Sequence, residues 1–195
     1  MNENIKKLFE NNNNMITTEM VVKAGFSRMT LSLYEKQGLI VRVRQGVYVL
    51  KDSLHDDMYS LVLCAEGFVF SHETALFLNG LSSRTPFVHS VTVPTGKELS
   101  PTLRKDCKCF YVKPELFDVG IVERNTTFGN TVKCYDSERT LCDIIRSKNR
   151  IDYETVISAI KNYLSSEKKN LNTLSEYSKY FRVQDKVRTY LEVLL

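Results

Sequence analysis

The chain has 195 residues, with 27 lysines and arginines against 23 aspartates and glutamates and a formal net charge of +4. A hydrophobic content of 43% can form a packed core, which excludes a disordered chain. No apolar run reaches the roughly 18 residues that a membrane span needs, and the first residues lack the apolar stretch of a signal peptide. Since the five cysteines show no framework spacing, we expect a cytoplasmic protein with reduced thiols.

The net charge is concentrated at the N-terminal end. Residues 1–51 contain eight basic and four acidic residues, whereas residues 52–195 contain 19 of each. Because the excess of positive charge lies on one short segment, we expect a partner with many negative charges to bind there.

Short helices are predicted in this basic segment. Apolar residues at helical spacing predict a helix over residues 4–10. Thr17 or Thr18 can cap a second helix, and Ser27 can cap a third helix over Arg28–Gln37. Two short helices joined by a glycine-containing turn are typical of a helix-turn-helix.

A β-hairpin is predicted directly after the helix pair. Over residues 39–44, valines alternate with Arg42 and Arg44, which is the period of a strand with one buried face. A turn at Gly46 joins this strand to a return strand over Val47–Leu50. The hairpin is the expected wing of a winged helix-turn-helix, with Arg42 and Arg44 pointing to the same outward side.

The rest of the chain predicts a mixed domain. Strand-like segments lie at residues 68–70, 88–93, 107–112, 119–124 and 131–135. Helices are expected at residues 55–66 and 71–78, and from Asp136 onward the pattern is helical. The predicted fold class is α+β, with a winged helix-turn-helix DNA-binding domain over residues 1–52. A mixed α/β domain with a helical C-terminal end follows over residues 53–195.

A winged helix-turn-helix reads double-stranded DNA with its third helix in the major groove and its wing on the flanking backbone. Arg28 can pair with O6 and N7 of guanine, while Leu31 and Tyr34 are expected to face the core. The predicted DNA-binding residues are Thr17, Thr18, Ser27, Arg28, Thr30, Ser32, Lys36, Arg42, Arg44 and Gln45. A second basic cluster, which either touches DNA or forms a solvated loop, comprises Arg146, Lys148 and Arg150.

Motifs for catalysis or metal binding are incomplete. His72-Glu73 begins like a metalloprotease motif, but Leu76 occupies the place of the second histidine. Cys107 and Cys109 lack the second cysteine pair of a zinc site. We therefore predict no enzyme activity, metal, cofactor or catalytic residue. An alternative is a DNA nuclease site built from Asp118, Glu123 and Lys133.

Several stretches of the sequence resemble AbiEi antitoxins. The N-terminal winged helix of that family is similar to Gly25-Phe26-Ser27-Arg28-x-Thr30-Leu31 followed by Gly38-Leu39-Ile40-x-Arg42-x-x-x-Gly46-Val47-Tyr48. Its second domain is similar to Phe70-Ser71-His72-Glu73-Thr74-Ala75-Leu76, Leu78-x-Gly80-Leu81, Val91-Thr92-Val93-Pro94 and Tyr135-Asp136-x-Glu138-Arg139-Thr140-Leu141-Cys142-Asp143. We interpret the charged residues of the second-domain stretches as helix caps and ion pairs in preference to a reactive site.

The resemblance implies an antitoxin of a type IV toxin–antitoxin, abortive-infection system, which confers phage resistance. The implied toxin is nucleotidyltransferase-like and is countered without a stable complex. The resemblance also implies a transcriptional autorepressor that binds promoter DNA at inverted repeats, with contacts from Arg28, Thr30, Arg42 and Arg44. We expect a monomer or a weakly associating protein that pairs on DNA. The other alternative is a winged-helix regulator whose second domain senses a small ligand.

Overall fold

The computed structural model describes residues 1–98 and 100–194. These residues form two compact units. Unit 1 contains Met1–Glu66, Ser100–Thr102 and Thr126–Asn130, and unit 2 contains the rest of the described chain. The first segment of unit 1 continues to Glu66, past the boundary predicted after residue 52. That a DNA-binding domain ends at residue 52 stays a prediction.

Unit 1 begins with short helices and a small sheet. Its elements are α1 (Glu3–Glu10), β1 (Met15–Thr17), α2 (Thr18–Lys23), α3 (Arg28–Lys36), β2 (Ile40–Arg44), β3 (Val47–Leu50) and α4 (Asp57–Cys64). The sheet is antiparallel in the order β1-β3-β2. A helix pair followed by a hairpin is the arrangement of a winged helix-turn-helix.

Local hydrogen bonds start the helices of unit 1 where the sequence predicts caps. The Thr17 hydroxyl accepts a hydrogen bond from the Met20 amide over 3.2 Å, and the Ser27 hydroxyl accepts one from the Met29 amide over 3.2 Å. Strand β1 lies outside the predicted elements, because three residues are too few to show a period.

The sheet of unit 1 is covered on both faces. On one face, Ile40 and Tyr48 pack into the core formed with α1, α2 and α3. On the other face, Val47 and Val49 pack against residues of α4. Successive side chains of a strand point to opposite faces. A wing side chain therefore lies either on the α3 face of the sheet or on the α4 face.

The remaining elements form a mixed sheet and a helical end. They are β4 (Val69–Phe70), α5 (His72–Leu78), β5 (His89–Pro94), α6 (Pro101–Asp106), β6 (Cys107–Val112), β7 (Ile121–Asn125), β8 (Thr131–Tyr135), α7 (Ser137–Arg146), α8 (Tyr153–Ser165), α9 (Leu171–Tyr180) and α10 (Gln184–Leu194). In the described chain the sheet order is β6-β5-β4-β8-β7. Strand β5 is parallel to β6 and β4 is parallel to β8, whereas the other neighbours are antiparallel.

The fold class predicted from the sequence is confirmed: the chain is α+β, with a mixed second part and a helical C-terminal end. Helix α6 lies outside the predicted elements. Its proline stands at the first helical position, where proline is favoured, although the same residue also marks loops. No helix in residues 1–98 and 100–194 has the length and apolar character needed to cross a membrane.

The core of unit 2 contains a buried arginine. The Arg139 guanidinium carbon lies 4.1 Å from the ring centre of Tyr135 and 3.7 Å from that of Phe181. Its Nε donates a hydrogen bond to Asp143 Oδ2 over 3.0 Å, and its Nη1 donates to two backbone carbonyls. A buried charge needs such partners, because removal from water is otherwise costly.

Candidate nucleic-acid interface

Helix α3 has one buried face and one face that points outward. Leu31 and Tyr34 are buried in the core of unit 1, as predicted. Successive residues advance by about 100° around a helix, so the opposite side can be read from the spacing. The residues of this outward face are Met29, Ser32, Leu33 and Lys36. Met29 is 79% exposed and Leu33 is 52% exposed.

The predicted reading residues of α3 are distributed around its edges. Arg28 is exposed at one margin of the outward face, in the first turn of the helix. Thr30 is half-buried near the opposite margin, where it is less available to a base edge. The Ser27 hydroxyl already accepts a hydrogen bond from the Met29 amide. The exposed polar groups at the centre of the face are therefore those of Ser32 and Lys36.

A β-bulge in strand β2 separates the two wing arginines. Arg42 stands opposite Tyr48 and Arg44 stands opposite Val47, so Val43 is an extra residue between two paired positions. Tyr48 belongs to the core on the α3 side of the sheet, whereas Val47 packs on the α4 side. Arg42 therefore lies on the same face of the sheet as α3, and Arg44 lies on the other face.

Arg44 is held by helix α4. Its Nη2 donates to Asp57 Oδ1 over 2.7 Å, and its Nε donates to Ser60 Oγ over 2.6 Å. Only 9% of the Arg44 side chain is exposed. The expectation that Arg42 and Arg44 point to the same outward side is wrong, because alternation along a strand fails where a bulge inserts one residue.

The start of helix α2 and the wing turn lie together. The Thr18 amide donates to the Gly46 carbonyl over 2.8 Å, so the amide of this predicted DNA-binding residue already has a partner within the unit. Gly46 has φ +73°, a conformation that favours glycine in a tight hairpin turn. Thr17, Thr18 and Gln45 border a cavity of ≈650 Å³ that also contacts α4 and no residue of α3. The structure thus places these three residues with α4.

The basic residues of unit 1 differ in how they are paired. Lys23 lies 2.7 Å from Glu19, and Lys6 lies 3.9 Å from Glu10. Within the described chain neither Arg28 nor Lys36 makes an ion pair, so these two charges are available to a polyanion. Part of the positive charge of this segment is therefore exposed on α3 and can attract a polyanion.

The match to a known family covers this segment. Residues 3–51 match the model of a family described as a transcriptional regulator, the AbiEi antitoxin. The matched residues all lie in unit 1, and this segment is therefore similar to an AbiEi antitoxin regulator. The match includes both helices of the pair and both strands of the wing, which are the elements described above.

A solved structure supports the fold over a longer part of the chain. The crystal structure of the RV2827C protein from Mycobacterium tuberculosis is similar with a TM-score of 0.63, over 88% of this chain and 69% of that chain. Because the sequences are 13% identical, this likeness concerns the fold alone. No curated protein matches the sequence.

The second basic cluster lies outside the AbiEi-matched segment, in unit 2. Arg146 Nη2 lies 3.5 Å from Asp143 Oδ1, and the Arg150 guanidinium lies 4.2 Å from the ring centre of Phe110. Arg150 also donates to the Cys109 carbonyl. Lys148 is exposed. Two of the three charges thus hold the fold of unit 2, while Lys148 faces solvent.

The stretch around His72 is buried. The His72 ring stacks on Phe110 at 3.4 Å between centres, its Nδ1 lies 2.9 Å from Ser71 Oγ, and its Nε2 lies 3.2 Å from Ser147 Oγ. Burial holds the pKa of His72 well below its usual value, and the positive charges of nearby arginines and Lys108 act in the same direction. A neutral ring with two hydroxyl partners agrees with a structural role.

Acidic residues after β8 accept hydrogen bonds at the start of α7 and from the following helical region. Asp136 accepts a hydrogen bond from the Arg139 amide over 2.7 Å at the start of α7. Glu138 Oε1 accepts from the Tyr163 hydroxyl over 2.9 Å and from the Asn170 amide over 3.0 Å. These contacts are those of caps and internal partners, in line with the structural interpretation of the sequence.

The three residues of the alternative nuclease site are spread along β7 and β8. Glu123 and Lys133 are cross-strand neighbours, and Asp118 precedes β7 on an exposed turn. In the part of the chain that the structure describes, no group of three or more His, Cys, Asp or Glu side chains is arranged to hold a metal ion.

Proposed function

We propose that this protein is a DNA-binding autorepressor that is also the antitoxin of a type IV abortive-infection system. The observation that carries the proposal is the outward face of α3, which presents Ser32 and an ion-pair-free Lys36 within a segment that matches AbiEi regulators. A winged helix-turn-helix uses this face to enter the major groove.

Three basic residues make the proposed DNA contacts. Arg28 lies in the first turn of α3, where a guanidinium can pair with O6 and N7 of guanine. Lys36 lies at the other end of the helix and meets a phosphate. Arg42 shares the α3 face of the sheet and grips the flanking backbone. Arg44, held by α4, is left out of the proposed interface.

One copy of this module covers a small interface. A single domain of this size contacts roughly 600–1,000 Å² of protein surface on DNA. We propose that two copies bind paired half-sites at inverted repeats upstream of the operon, which doubles the number of phosphate contacts. The protein is otherwise a monomer or weakly associating, and bound promoter DNA excludes the polymerase.

The second domain supplies the antitoxin activity in this proposal. Its charges are balanced, with 19 basic and 19 acidic residues after residue 51, so bulk charge does not direct it to DNA. The proposed opponent is a nucleotidyltransferase-like toxin in the cytoplasm, countered without a stable complex. The caps and ion pairs of unit 2 keep this domain folded.

A gel-shift titration on DNA from upstream of the gene tests the repressor role. Wild type is expected to bind with a strong salt dependence. Arg28→Ala should lose about 1–3 kcal/mol of preference for the operator over unrelated DNA. Lys6→Ala is the matched control, because Lys6 is a basic residue of α1 that already pairs with Glu10. Equal binding of wild type to operator and unrelated DNA would contradict the proposal.

A growth assay separates repression from toxin rescue. The double variant Arg28→Ala/Arg42→Ala, in the full chain, should derepress an operon reporter and still rescue cells that express the neighbouring toxin. If rescue falls together with DNA binding, the antitoxin activity acts through DNA and the proposed division of roles is wrong.

Ligand sensing is a second candidate, favoured by a cavity in unit 2. The cavity has a volume of ≈610 Å³ and is bordered by Arg124, Asp136, Glu138 and Lys168. Small-molecule sites have about this size. A neighbouring gene for a nucleotidyltransferase-like protein would favour the antitoxin role, and its absence together with a ligand-dependent gel shift would favour sensing.

A further inference from the structure

The outward face of α3 carries two exposed apolar side chains beside its polar groups. Met29 leaves 79% of its surface in solvent and Leu33 leaves 52%, although both lie on a helix whose other side is packed. They are four residues apart, so their side chains lie above one another on the same helix face. Between and beside them are the polar groups of Ser32 and Lys36.

We propose that Met29, supported by Leu33, packs against thymine methyl groups in the major groove and so determines which operator sequence is bound. This inference rests on the proposed DNA-binding function and adds the base that is read. It assigns to Met29 an apolar contact with one base, in addition to the polar contacts proposed for Arg28.

The position of Met29 in the helix suits base contact. It is the second residue of α3, and the N-terminal residues of a recognition helix reach the base edges. Its side chain is long and unbranched, which allows it to adapt to an irregular apolar surface. Leu33 lies one turn further along the same face and can meet a neighbouring base step.

Thymine is the base whose chemistry fits this side chain. In the major groove each base presents hydrogen-bond donors or acceptors, and only thymine adds a methyl group. A thioether placed over the amino group of cytosine would leave a polar group desolvated without a partner, which is unfavourable. An apolar contact at this point therefore favours thymine.

The charges around the patch favour DNA over a protein partner. Arg28 borders the patch, Lys36 lies within the same face, and Arg42 lies on the α3 side of the sheet. The acidic residue of α3, Glu35, stands at the margin of the face. On DNA the basic side chains can contact phosphates while the two apolar side chains contact methyl groups on the bases between them.

The test compares two duplexes of the upstream region that differ only in the methyl group. One contains thymine, and the other contains deoxyuridine at every thymine position. Wild type should bind the thymine duplex about three- to fivefold more tightly for each methyl group contacted. For Met29→Ala the ratio of the two dissociation constants should fall towards one. Leu54→Ala is the control, because Leu54 is 84% exposed in unit 1 but lies outside α3, and it should keep the wild-type ratio.

Each outcome decides the inference. Equal binding of wild type to both duplexes, or an unchanged ratio in Met29→Ala, overturns it and leaves the proposed function intact. Failure of wild type to bind the upstream region at all overturns the proposed function and this inference with it. If Met29→Ala binds too weakly to compare, Met29→Leu and Met29→Gln are measured at lower salt. Met29→Leu should keep the ratio and Met29→Gln should lose it, whereas equal ratios in these two variants overturn the inference.

Discussion

Arg44 in the wing and Asp57 in helix α4 form an ion pair of 2.7 Å that holds the Arg44 side chain on the α4 face of the sheet. Arg42, two residues earlier, is opposite Tyr48 on the α3 face. Two arginines with the same apparent position in the sequence pattern therefore have different tasks. Arg44 holds the wing on α4, whereas Arg42 is exposed on the α3 face, where we propose that it contacts DNA.

Replacing each of the two arginines should change a different property of the protein. Arg42→Ala should reduce the slope of log affinity against log salt by about one and leave stability unchanged, since it removes one phosphate contact from an exposed side chain. Arg44→Ala should lower the free energy of unfolding by about 1–2 kcal/mol, because it removes two hydrogen bonds but Asp57 is half-exposed to screening solvent. Urea unfolding and salt-dependent gel shifts measure both effects.

Asp57→Ala is the control for that comparison. It should reproduce the stability loss of Arg44→Ala without changing the salt slope, because the carboxylate is the partner of Arg44 and not of DNA. A flattened salt slope for Arg44→Ala with unchanged stability would place Arg44 on DNA after all.

Stability should fall in acid because of His72. Its pKa is held well below 6.5 in the folded chain, so below pH 6.5 the unfolded chain takes up a proton that the folded chain does not. The contribution is about 1.4 kcal/mol for each pH unit until the folded-state pKa is reached. In His72→Asn this dependence should be absent, and asparagine tolerates the φ of +47° at this position.

The measurement is the free energy of unfolding of wild type and His72→Asn at several pH values between 7 and about 4.5. The variant is expected to be less stable at neutral pH, since it loses the stacked contact with Phe110. The difference between the two proteins should shrink as the pH falls. A constant difference over the whole range would show that His72 does not titrate in this way.

Removing the buried arginine should be among the most damaging changes in unit 2. Arg139→Met leaves Asp143 buried without its closest cation and should cost about 3–5 kcal/mol. The double variant Arg139→Met/Asp143→Leu should recover part of this loss, because it removes both charges. Denaturant unfolding of the full chain measures the three proteins. A loss below about 1 kcal/mol for Arg139→Met, within the range of an ordinary surface change, would contradict the assigned role.

Two cysteines should resist alkylation in the folded protein. Burial raises the pKa of Cys134 and of Cys142 to about 12, so almost no thiolate forms at neutral pH. Mass spectrometry after iodoacetamide treatment should find neither residue modified until denaturant is added, when all five cysteines of the chain react. Labelling of Cys134 under native conditions at the unfolded rate would contradict its burial.

Local signals in the sequence determined the helix starts, the wing turn and the core side of α3. Thr17 and Ser27 cap helices with hydrogen bonds that span two or three residues, and Gly46 provides the positive φ of a tight turn. Leu31 and Tyr34 face the core because a helix has a fixed period. Each of these features depends on neighbouring residues alone, which is why they can be predicted without the fold.

Tertiary structure decided the composition of the candidate site. The bulge at Val43 shifts the alternation of β2 by one residue, and the partners that settle the position of Arg44 lie in α4, beyond the wing. Met29 is exposed because the core packs against the other side of α3. The hydrophobic character of Met29 in the sequence does not reveal this. Side-chain direction and solvent access depend on contacts between distant segments, and those contacts exist only in the folded chain.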